Sequence, residues 1–352
     1  MRASMPGGRM AVRAAWTLLW LVPALLGPGC AGVDDTDDGP DDPVATCGTY
    51  PAVVNFLPSG WPGTVGADTT LEIATWNLEF FGYDGATEVA KTADIMRTLD
   101  LDLYGVEEIS DTTDFNALVA SLPGHSGRLS PDRYFDGSYQ KTGFLWKNSL
   151  ITASNIHVPA EFDSSQYHFP DDYLGPDAGT AADVVPGNDP FPRPPLEGTF
   201  RASANGHTYE FHAIVMHLKA GKNNADDQLR RREATYILEK YLARQATIDP
   251  NRKYILLGDW NDALDDTPLS LNTFRALLEK PDDYSFLTTP MVKRSDLASH
   301  PIGLVDHLMV NKAACGDFSA GRISTLRLDV TYPGYSSDVS DHRPVVAVFR
   351  AF

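Results

Sequence analysis

The chain closes with Ser340-Asp341-His342-Arg343-Pro344 followed by Val345-Val346-Ala347-Val348-Phe349, so an acid and an imidazole stand directly before an apolar run. The run of β-prone residues from Val345 to Phe349 predicts a buried strand. A carboxylate beside a histidine at the mouth of a strand is an arrangement that catalysis uses, because the acid can fix the tautomer of the imidazole. Alone, such a pair is more often a polar loop, so a catalytic interpretation requires further polar clusters.

Five such clusters stand beside apolar, strand-like runs earlier in the chain. They are Trp76-Asn77-Leu78-Glu79, Glu107-Glu108-Ile109, His217-Leu218-Lys219, Gly258-Asp259-Trp260-Asn261-Asp262 and Val305-Asp306-His307. A phosphodiester is an anion, so its hydrolysis needs charge neutralisation, an activated water and help for the leaving oxygen. Glu108 and Asn77 suit the hard oxygen donors that Mg²⁺ prefers. The clusters together predict a site that cleaves phosphate esters.

The pattern of elements predicts mixed sheets with outer helices. Apolar spacing predicts helices at 86–99, 115–122, 226–246 and 271–278, and Asn205-Gly206 marks a hairpin between strands at 199–202 and 209–217. Further strands are predicted at 71–78, 101–109, 143–146, 151–158, 253–257, 305–310 and 324–328. Residues 160–197 form a long segment rich in Pro, Asp and Gly, and long loops are commonly functional. Strands and helices do not alternate strictly, which argues against a simple parallel barrel.

The six clusters and their order resemble the endonuclease/exonuclease/phosphatase superfamily, the deoxyribonuclease I-like fold, over roughly residues 70–352. The resemblance implies an α/β (mixed α+β) chain folded as a four-layer α/β/β/α sandwich, with the site where the sheet edges meet. It also implies a divalent cation, Mg²⁺ first and Mn²⁺ or Ca²⁺ as alternatives. By resemblance Glu108 is the main metal ligand, with Asn77 and Asp341 close to the same ion.

The resemblance implies a role for each of the remaining polar residues. His342 contacts the scissile phosphate and Asp306 is its partner carboxylate. Asp259 orients or deprotonates the attacking water, Asn261 holds a phosphate oxygen, and His217 donates to the phosphate from the other side.

Two positions depart from the family pattern. The acid that pairs with the second histidine in related branches has no clear match, and Gln140 or Lys141 lies nearest in sequence. Glu107 occupies a place where the family often has Gln. Because neighbours on a strand point to opposite faces, we expect Glu107 to face away from Glu108 as a surface acid.

Basic residues near the predicted site are few. Arg193, in Phe191-Pro192-Arg193-Pro194-Pro195, matches an Arg-Pro element that reaches substrate phosphate in similar secreted nucleases, and a planar guanidinium suits that contact. A solvated loop arginine is the equal alternative. Lys219 is a better phosphate candidate than Arg230-Arg231-Arg232, because helical spacing turns those three side chains in different directions.

The N-terminus predicts export. Residues 1–29 carry Arg2, Arg9 and Arg13, then an apolar run from Ala14 to Leu26 that is shorter than the about 20 residues of a membrane span. Gly29-Cys30-Ala31 resembles the end of a bacterial lipobox, although Gly27 departs from its usual Leu, so ordinary signal-peptidase cleavage stays an alternative.

We therefore predict a signal peptide at 1–29, a lipid-anchor Cys30 with an acidic tether and irregular lead-in at 30–68, and a catalytic domain at 69–352. This predicts an exported monomer, either an outer-membrane lipoprotein of the bacterial envelope or a secreted protein. Its membrane contact would be the lipid on Cys30 alone.

Cysteine parity fits an oxidising compartment. The chain has three cysteines, and lipidation of Cys30 would leave Cys47 and Cys315 to form a disulfide. Two unrelated buried thiols are the alternative.

Charge and motifs limit the function. A net charge of −18 argues against tight passive binding to nucleic acid or anionic membrane, but not against an enzyme that meets a polyanion through a metal ion. Zinc-peptidase, P-loop and nucleophile-elbow motifs do not occur in the sequence. We predict a Mg²⁺-dependent nuclease that hydrolyses DNA, with RNA as a further substrate.

Three other functions remain open. One is a phosphodiesterase on phospholipid head groups, because the 160–197 segment contains the aromatic residues Phe162, Tyr167, Phe169, Tyr173 and Phe191. The others are a phosphatase on small soluble phosphates and a non-catalytic surface binding module.

Overall fold

Two β-sheets pack face to face in the computed structural model of the chain, and helices cover their outer faces. The structure describes residues 44–46, 50–54, 65, 67–131, 140–162, 190–221, 225–264, 272–289, 295–297, 303–318 and 321–352. This is the predicted four-layer α/β/β/α sandwich. The predicted signal peptide and Cys30 lie outside the described residues.

The described strands divide into a sheet of eight and a sheet of six. In chain order they are β1 (Val44–Thr46), β2 (Tyr50–Val54), β3 (Leu71–Phe81), β4 (Leu103–Ile109), β5 (His125–Leu129), β6 (Lys141–Lys147), β7 (Ile151–His157), β8 (Leu196–Ala204), β9 (His207–His217), β10 (Tyr254–Asp259), β11 (Tyr284–Phe286), β12 (Asp306–Asn311), β13 (Arg322–Thr325) and β14 (Val345–Phe349). The larger sheet has the order β1-β2-β13-β14-β3-β4-β6-β5, and the smaller has the order β11-β12-β10-β9-β8-β7.

Helices pack on the outer face of each sheet. The helices are α1 (Ala86–Leu99), α2 (Thr112–Ala120), α3 (Ala225–Ile248), α4 (Arg275–Leu278), α5 (Lys312–Cys315), α6 (Leu328–Thr331) and α7 (Tyr335–Asp338). The exception is α5, because its Ala314 and Cys315 belong to the cluster between the sheets. The predicted apolar face of α1, which includes Val89, Ala93 and Met96, is buried. Among the described residues, none of the helices combines the length and the apolar character that a membrane crossing requires.

Alternation along the central strands divides the core into layers. In β3, Leu71 and Ile73 belong to the cluster between the sheets, whereas Ala74 and Trp76 belong to the cluster under α1 and α2. The two faces of a strand are set by its two-residue period. Since both faces of β3 are buried, its polar C-terminal end is the part of the strand that can serve a site.

The N-terminal lead-in is more regular than we predicted. β2 pairs in parallel with β13, and β1 pairs with β2, so the lead-in extends the larger sheet at one edge. Cys315, at the end of α5, is disulfide-bonded. Its predicted partner, Cys47, lies outside the described residues, so the Cys47–Cys315 pairing stays a prediction.

Candidate active site

Strand register brings the polar ends of the smaller sheet together. Asp259, the last residue of β10, lies opposite His217 at the end of β9 and opposite Asp306 at the start of β12. Gly258 has φ +153°, and a Cβ there would clash with the Met216 carbonyl oxygen. Glycine therefore permits the close approach of β9 and β10 at the point where they present their polar residues.

His342 is oriented by Asp306, as the sequence predicts. Its Nδ1 lies 2.8 Å from Asp306 Oδ2, and its Nε2 lies 4.0 Å from Asp259 Oδ2. Burial disfavours the imidazolium, but the carboxylates of Asp306, Asp259 and Asp341 outweigh it and raise the pKa of His342 well above its usual value. The arrangement favours a protonated histidine with Nε2 facing the site.

Asp259 is buried, and each of its two carboxylate oxygens accepts a hydrogen bond. Its Oδ2 accepts a hydrogen bond of 3.0 Å from Asn77 Nδ2, and its Oδ1 accepts one of 2.9 Å from the Asn261 backbone N–H. Burial, with repulsion from Asp306, raises the pKa of Asp259 to about 7, despite opposing contributions from His342 and both hydrogen bonds. A carboxylate with that pKa is suited to accept a proton at neutral pH.

Asn261 follows in a left-handed conformation, with φ +56°. Its side-chain NH₂ donates 3.1 Å to the Leu218 carbonyl oxygen, so the side chain is tied to the end of β9. The predicted contact of Asn261 with a phosphate oxygen stays a prediction.

Glu108 reaches the site from the larger sheet through a break in β4. It has φ +59°, and the pairing of β4 with β3 and with β6 shifts register around it. Glu108 Oε1 accepts a 3.2 Å hydrogen bond from Asn77 Nδ2, and Oε2 accepts one of 3.2 Å from the Phe80 backbone N–H. The bulge thus turns the carboxylate toward the end of β3.

Asn77 is placed beside Glu108 but presents its NH₂ group to it. Its Oδ1 accepts a 2.9 Å hydrogen bond from the Glu79 backbone N–H, which fixes the amide orientation. Direct ligation by this oxygen, which we expected, would compete with that bond. In this arrangement Asn77 instead orients the carboxylates of Glu108 and Asp259.

Asp341 and Glu108 form a donor set that fits a divalent cation. Burial, together with repulsion from Glu79, Glu108 and Asp296, raises the pKa of Asp341 to about 7, although His342 opposes the shift. A cation would offset this concentration of negative charge, and carboxylate oxygens are the donors that Mg²⁺ prefers. Glu108 and Asp341 are therefore the residues that would hold the metal.

A second group also has the spacing of a metal site. Ligand atoms of Asp259, Asp306 and His342 all lie within 4.8 Å of one another. The 2.8 Å bond between His342 Nδ1 and Asp306 Oδ2 already occupies one pair of those atoms. We therefore interpret this group as a hydrogen-bonded proton-transfer group and assign the cation to Glu108 and Asp341.

His217 favours the neutral form of its imidazole, whereas His342 favours the protonated form. Its Nε2 lies 3.5 Å from Asp259 Oδ2 and 3.8 Å from Glu108 Oε1, and its Nδ1 is buried without a hydrogen-bond partner among the described residues. Burial, followed by the positive charge of Arg193, lowers the pKa of His217 well below its usual value. We place the proton of the neutral ring on Nε2, because both carboxylates lie on that side.

Arg193 contacts the backbone at His217, the histidine for which the sequence offers no clear partner acid. It is 7% exposed, donates to the carbonyl oxygens of His217 and Leu218 at 3.5 and 3.4 Å, and donates to Gln140 Oε1. The alternative of a solvated loop arginine is therefore wrong. Its predicted contact with substrate phosphate stays a prediction.

The other basic residues near β9 have local roles. Lys219 pairs with Asp227 at 3.2 Å and donates to the Ala220 carbonyl oxygen at 2.7 Å. Arg231 is 1% exposed and pairs with the buried Asp262 at 3.1 Å, so this arginine supports the loop after β10 instead of facing solvent.

Glu107 is not the surface acid that alternation predicts. It is fully buried, and its Oε1 accepts a 2.9 Å hydrogen bond from Thr75 Oγ1, on the same face of β3 as Asn77. Burial, then repulsion from Asp306, raises the pKa of Glu107 well above its usual value, although Thr75 opposes the shift. The bulge at Glu108 places both acids on one face, so the prediction that they face apart is wrong.

Two residues that support His342 received no role from sequence reasoning. Ser340 Oγ accepts from the His342 backbone N–H at 2.8 Å and donates to the Asn77 carbonyl oxygen at 2.6 Å. Tyr335 Oη donates to the His342 carbonyl oxygen at 2.5 Å and accepts from Trp76 Nε1 at 3.0 Å. Ser340 stood inside a quoted cluster, whereas nothing in the sequence around Tyr335 signalled its contact.

Comparison with known proteins agrees with this geometry. A model described as the endonuclease/exonuclease/phosphatase family matches residues 74–342, a range that runs from β3 to His342. No curated protein matches the chain.

Solved structures of similar fold cover most of the chain. The human Nocturnin catalytic domain with bound sulfate is 12% identical, with a TM-score of 0.54, and the match covers 81% of this chain and 95% of that one. An endonuclease/exonuclease/phosphatase family protein from Bacteroides thetaiotaomicron is 15% identical, with a TM-score of 0.53 and coverage of 80% and 98%. A mannosyl-6-phosphatase from the same organism is 16% identical, with a TM-score of 0.51 and coverage of 79% and 98%. At these identities the likeness shows the fold.

Proposed function

Because the chain belongs to the endonuclease/exonuclease/phosphatase family, whose members hydrolyse phosphoester bonds, we propose that it is a Mg²⁺-dependent nuclease that cleaves DNA and also accepts RNA. The observation that carries the proposal is the pair formed by His342 and Asp306, set 4.0 Å from the buried base Asp259. A binding module would not need a general base and a charged histidine facing one another.

The residues divide the reaction between them. Asp259, with a pKa of about 7, accepts a proton from the attacking water. His342, kept protonated by Asp306, donates its Nε2 hydrogen to a phosphate oxygen. Neutral His217 donates a hydrogen bond from its Nε2, which lies beside the Asp259 carboxylate, to the phosphate.

Glu108 and Asp341 would hold the cation next to this group. When bound, a divalent cation supplies positive charge that offsets the charge developing on the phosphate. Asn77 orients Glu108, and Ser340 keeps His342 at a fixed position relative to Asn77.

The described part of the long loop does not favour the lipid alternative. Phe162 and Phe191 are 0% and 2% exposed, and their rings pack against each other at 5.3 Å. Phe162 also packs on Tyr241 at 4.8 Å. These two aromatics belong to the core, so neither is offered for membrane insertion. Tyr167, Phe169 and Tyr173 lie outside the described residues.

We also propose that the protein works outside the cytoplasm, either secreted or held at the envelope by a lipid on Cys30, and that it acts as a monomer. The basic and apolar residues of 1–29, the Gly29-Cys30-Ala31 sequence and the bonded state of Cys315 support this location.

The deciding experiment offers three substrates to the purified chain. Plasmid DNA, single-stranded RNA and sphingomyelin are each incubated with Mg²⁺ and with EDTA. We expect plasmid cleavage that needs the metal and is lost in Glu108→Ala and His342→Ala, with far-ultraviolet circular dichroism unchanged. Nicking of closed circles would show endonuclease action.

The matched control is His207→Ala, an exposed histidine at the opposite end of β9 from His217. This variant should cleave at the wild-type rate. Release of phosphocholine without DNA or RNA cleavage would show instead that the substrate is a lipid head group. No turnover of any substrate, or full activity in His342→Ala, would overturn the proposal.

A further inference from the structure

An aromatic pair lies beside the site, in a turn of residues 79–84 that begins within the last residues of β3. Tyr83 is 57% exposed, and Phe80 is half-buried. Their rings meet edge to face, with centroids 5.7 Å apart and planes at 90°. Tyr83, Ile248 and Val330 are the highly exposed large apolar side chains among the described residues, and Tyr83 is the aromatic one.

This turn is attached directly to the proposed metal ligands. The Phe80 backbone N–H donates 3.2 Å to Glu108 Oε2, and Glu79 Oε2 accepts 2.9 Å from the Asp341 backbone N–H. The Tyr83 N–H then closes the turn on the Phe80 carbonyl oxygen at 3.2 Å. The backbone that carries the two rings is therefore hydrogen-bonded to the segments that hold both proposed metal ligands.

The turn is held in an unfavourable backbone conformation. Glu79 and Phe80 have φ of +42° and +54° in succession, a left-handed conformation that is unfavourable for residues that carry a Cβ. The buried Glu88 carboxylate accepts from the N–H groups of Gly82 and Asp84, at 2.9 and 3.2 Å. The surrounding structure thus fixes a strained turn that displays two rings.

Two positive side chains among the described residues near the site already have partners that limit their use on a nucleic acid. Lys219 pairs with Asp227, and Arg193 is buried against backbone carbonyls. A contribution that does not depend on charge would therefore add to the binding of a polyanion by this acidic protein. Stacking of bases on aromatic rings is such a contribution, and it tolerates any sequence because every base has a π-face.

We propose that Phe80 and Tyr83 form a stacking subsite for a nucleobase adjacent to the scissile phosphate. This inference rests on the proposed nuclease function and specifies part of its substrate: a strand whose bases are unpaired where it crosses the turn.

The test compares two single-stranded oligonucleotides with the same backbone and the full-length chain as enzyme. One carries all its bases, and the other has tetrahydrofuran abasic residues on both sides of each cleavable phosphate. We expect the wild type to show a kcat/KM about 5- to 100-fold higher on the base-containing strand, the range that stacking of one base supports.

Tyr83→Ala should lose most of that preference, because its kcat/KM falls on the base-containing strand and stays unchanged on the abasic strand. Tyr83→Phe keeps the ring and should keep the preference. Ile248→Ala removes a side chain of similar exposure, 63%, at the far end of α3, and should match the wild type on both strands.

The outcomes separate this inference from the proposed function. Equal losses on both strands in Tyr83→Ala, or no loss on either, would overturn the stacking subsite and leave the nuclease proposal standing. Failure of the wild type to cut either strand while it still cuts plasmid DNA would overturn the stacking subsite alone. Failure to cut plasmid DNA and both strands would overturn both proposals. Loss of sphingomyelin hydrolysis in Tyr83→Ala, with both strands uncut by the wild type, would assign the rings to a membrane.

Discussion

At the scale of single residues, Glu107 shows how environment decides chemistry. Two adjacent glutamates end β4, yet Glu108 is partly exposed at the proposed metal site and Glu107 is fully buried behind it. Burial and the nearby Asp306 raise the pKa of Glu107 well above its usual value, which favours the neutral form of its carboxyl group. A neutral carboxyl resembles the side chain of Gln in shape and charge.

We therefore predict that Glu107→Gln keeps kcat/KM within about twofold of wild type and keeps the thermal midpoint, because the amide can still accept from Thr75. Hydrolysis rates and thermal melts measure this. The same change at Glu108 should abolish activity. A loss above about tenfold in Glu107→Gln would show that a negative charge at Glu107 is required.

Glu72 is a second buried carboxyl, at the end of the sandwich opposite the site. Burial and its contact with Asp102 raise the pKa of Glu72 to about 8, although Thr70 and Lys147 oppose the shift. The folded chain therefore keeps a proton on Glu72 that the unfolded chain releases near its ordinary pKa of 4.5. The stability that this group contributes is complete below that pH and is lost as the pH rises toward 8.

Glu72→Gln removes this titration, so we expect its urea midpoint, measured against wild type, to improve steadily between pH 5 and pH 8. Denaturation curves at half-unit intervals measure the difference. Glu210→Gln, at an exposed position of β9, should follow wild type at every pH. A constant difference between Glu72→Gln and wild type across the range would contradict the prediction.

At the scale of elements, the segment from α7 to β14 holds His342 in position. The peptide N–H of His342 is bound by Ser340 and its carbonyl by Tyr335, and both partners reach β3, through the Asn77 carbonyl and Trp76 Nε1. The rings of Trp76 and Tyr335 also stack, with planes 8° apart. The position of His342 is thus set by the strand that carries Asn77.

Removing the Tyr335 hydroxyl should leave His342 less firmly positioned. We predict that Tyr335→Phe lowers kcat about tenfold with KM unchanged, because small displacements of a reacting group are costly. In a His342→Ala background the same change should cause no further loss. Tyr332→Phe, just before α7, is the matched control and should keep the wild-type kcat. Additive losses in the double variant would show that Tyr335 acts on something other than His342.

The sequence predicts helices and strands better than it predicts which of their side chains, and of those in loops, are buried. The strand Val345–Phe349 and the helix Ala86–Leu99 begin and end where periodicity places them, and Asp259, His217 and Asp306 meet because they end or begin neighbouring strands. Alternation fails at Glu108, because its left-handed backbone breaks the two-residue period and brings its carboxylate to the face that Glu107 occupies. The burial of Arg193 depends on residues distant in sequence, and no local pattern encodes such contacts.

At the scale of the whole molecule, the net charge of −18 opposes the approach of a polyanion. The Debye length falls from about 30 Å at 0.01 M salt to about 8 Å at 0.15 M, so added salt screens this repulsion. The effect is opposite to that for basic nucleic-acid-binding proteins, which lose affinity in salt.

We predict that kcat/KM on long DNA rises a fewfold between 10 and 150 mM NaCl at saturating Mg²⁺. Initial rates at several ionic strengths measure it. A dinucleotide with one phosphodiester should respond little, which provides the control. A rate on long DNA that falls steadily over this range would show that local positive charge governs binding instead.

The site takes Glu108 and Asn77 from one sheet and Asp259, His217 and Asp306 from the other, with His342 arriving on the last segment of the chain. Neither sheet alone holds a set of groups that handles phosphate. During refolding, hydrolysis must therefore return only after the two sheets have docked and the C-terminal segment has closed, later than secondary structure. The recovery of turnover would thus report the final assembly step, in which the segment that carries His342 docks against both sheets.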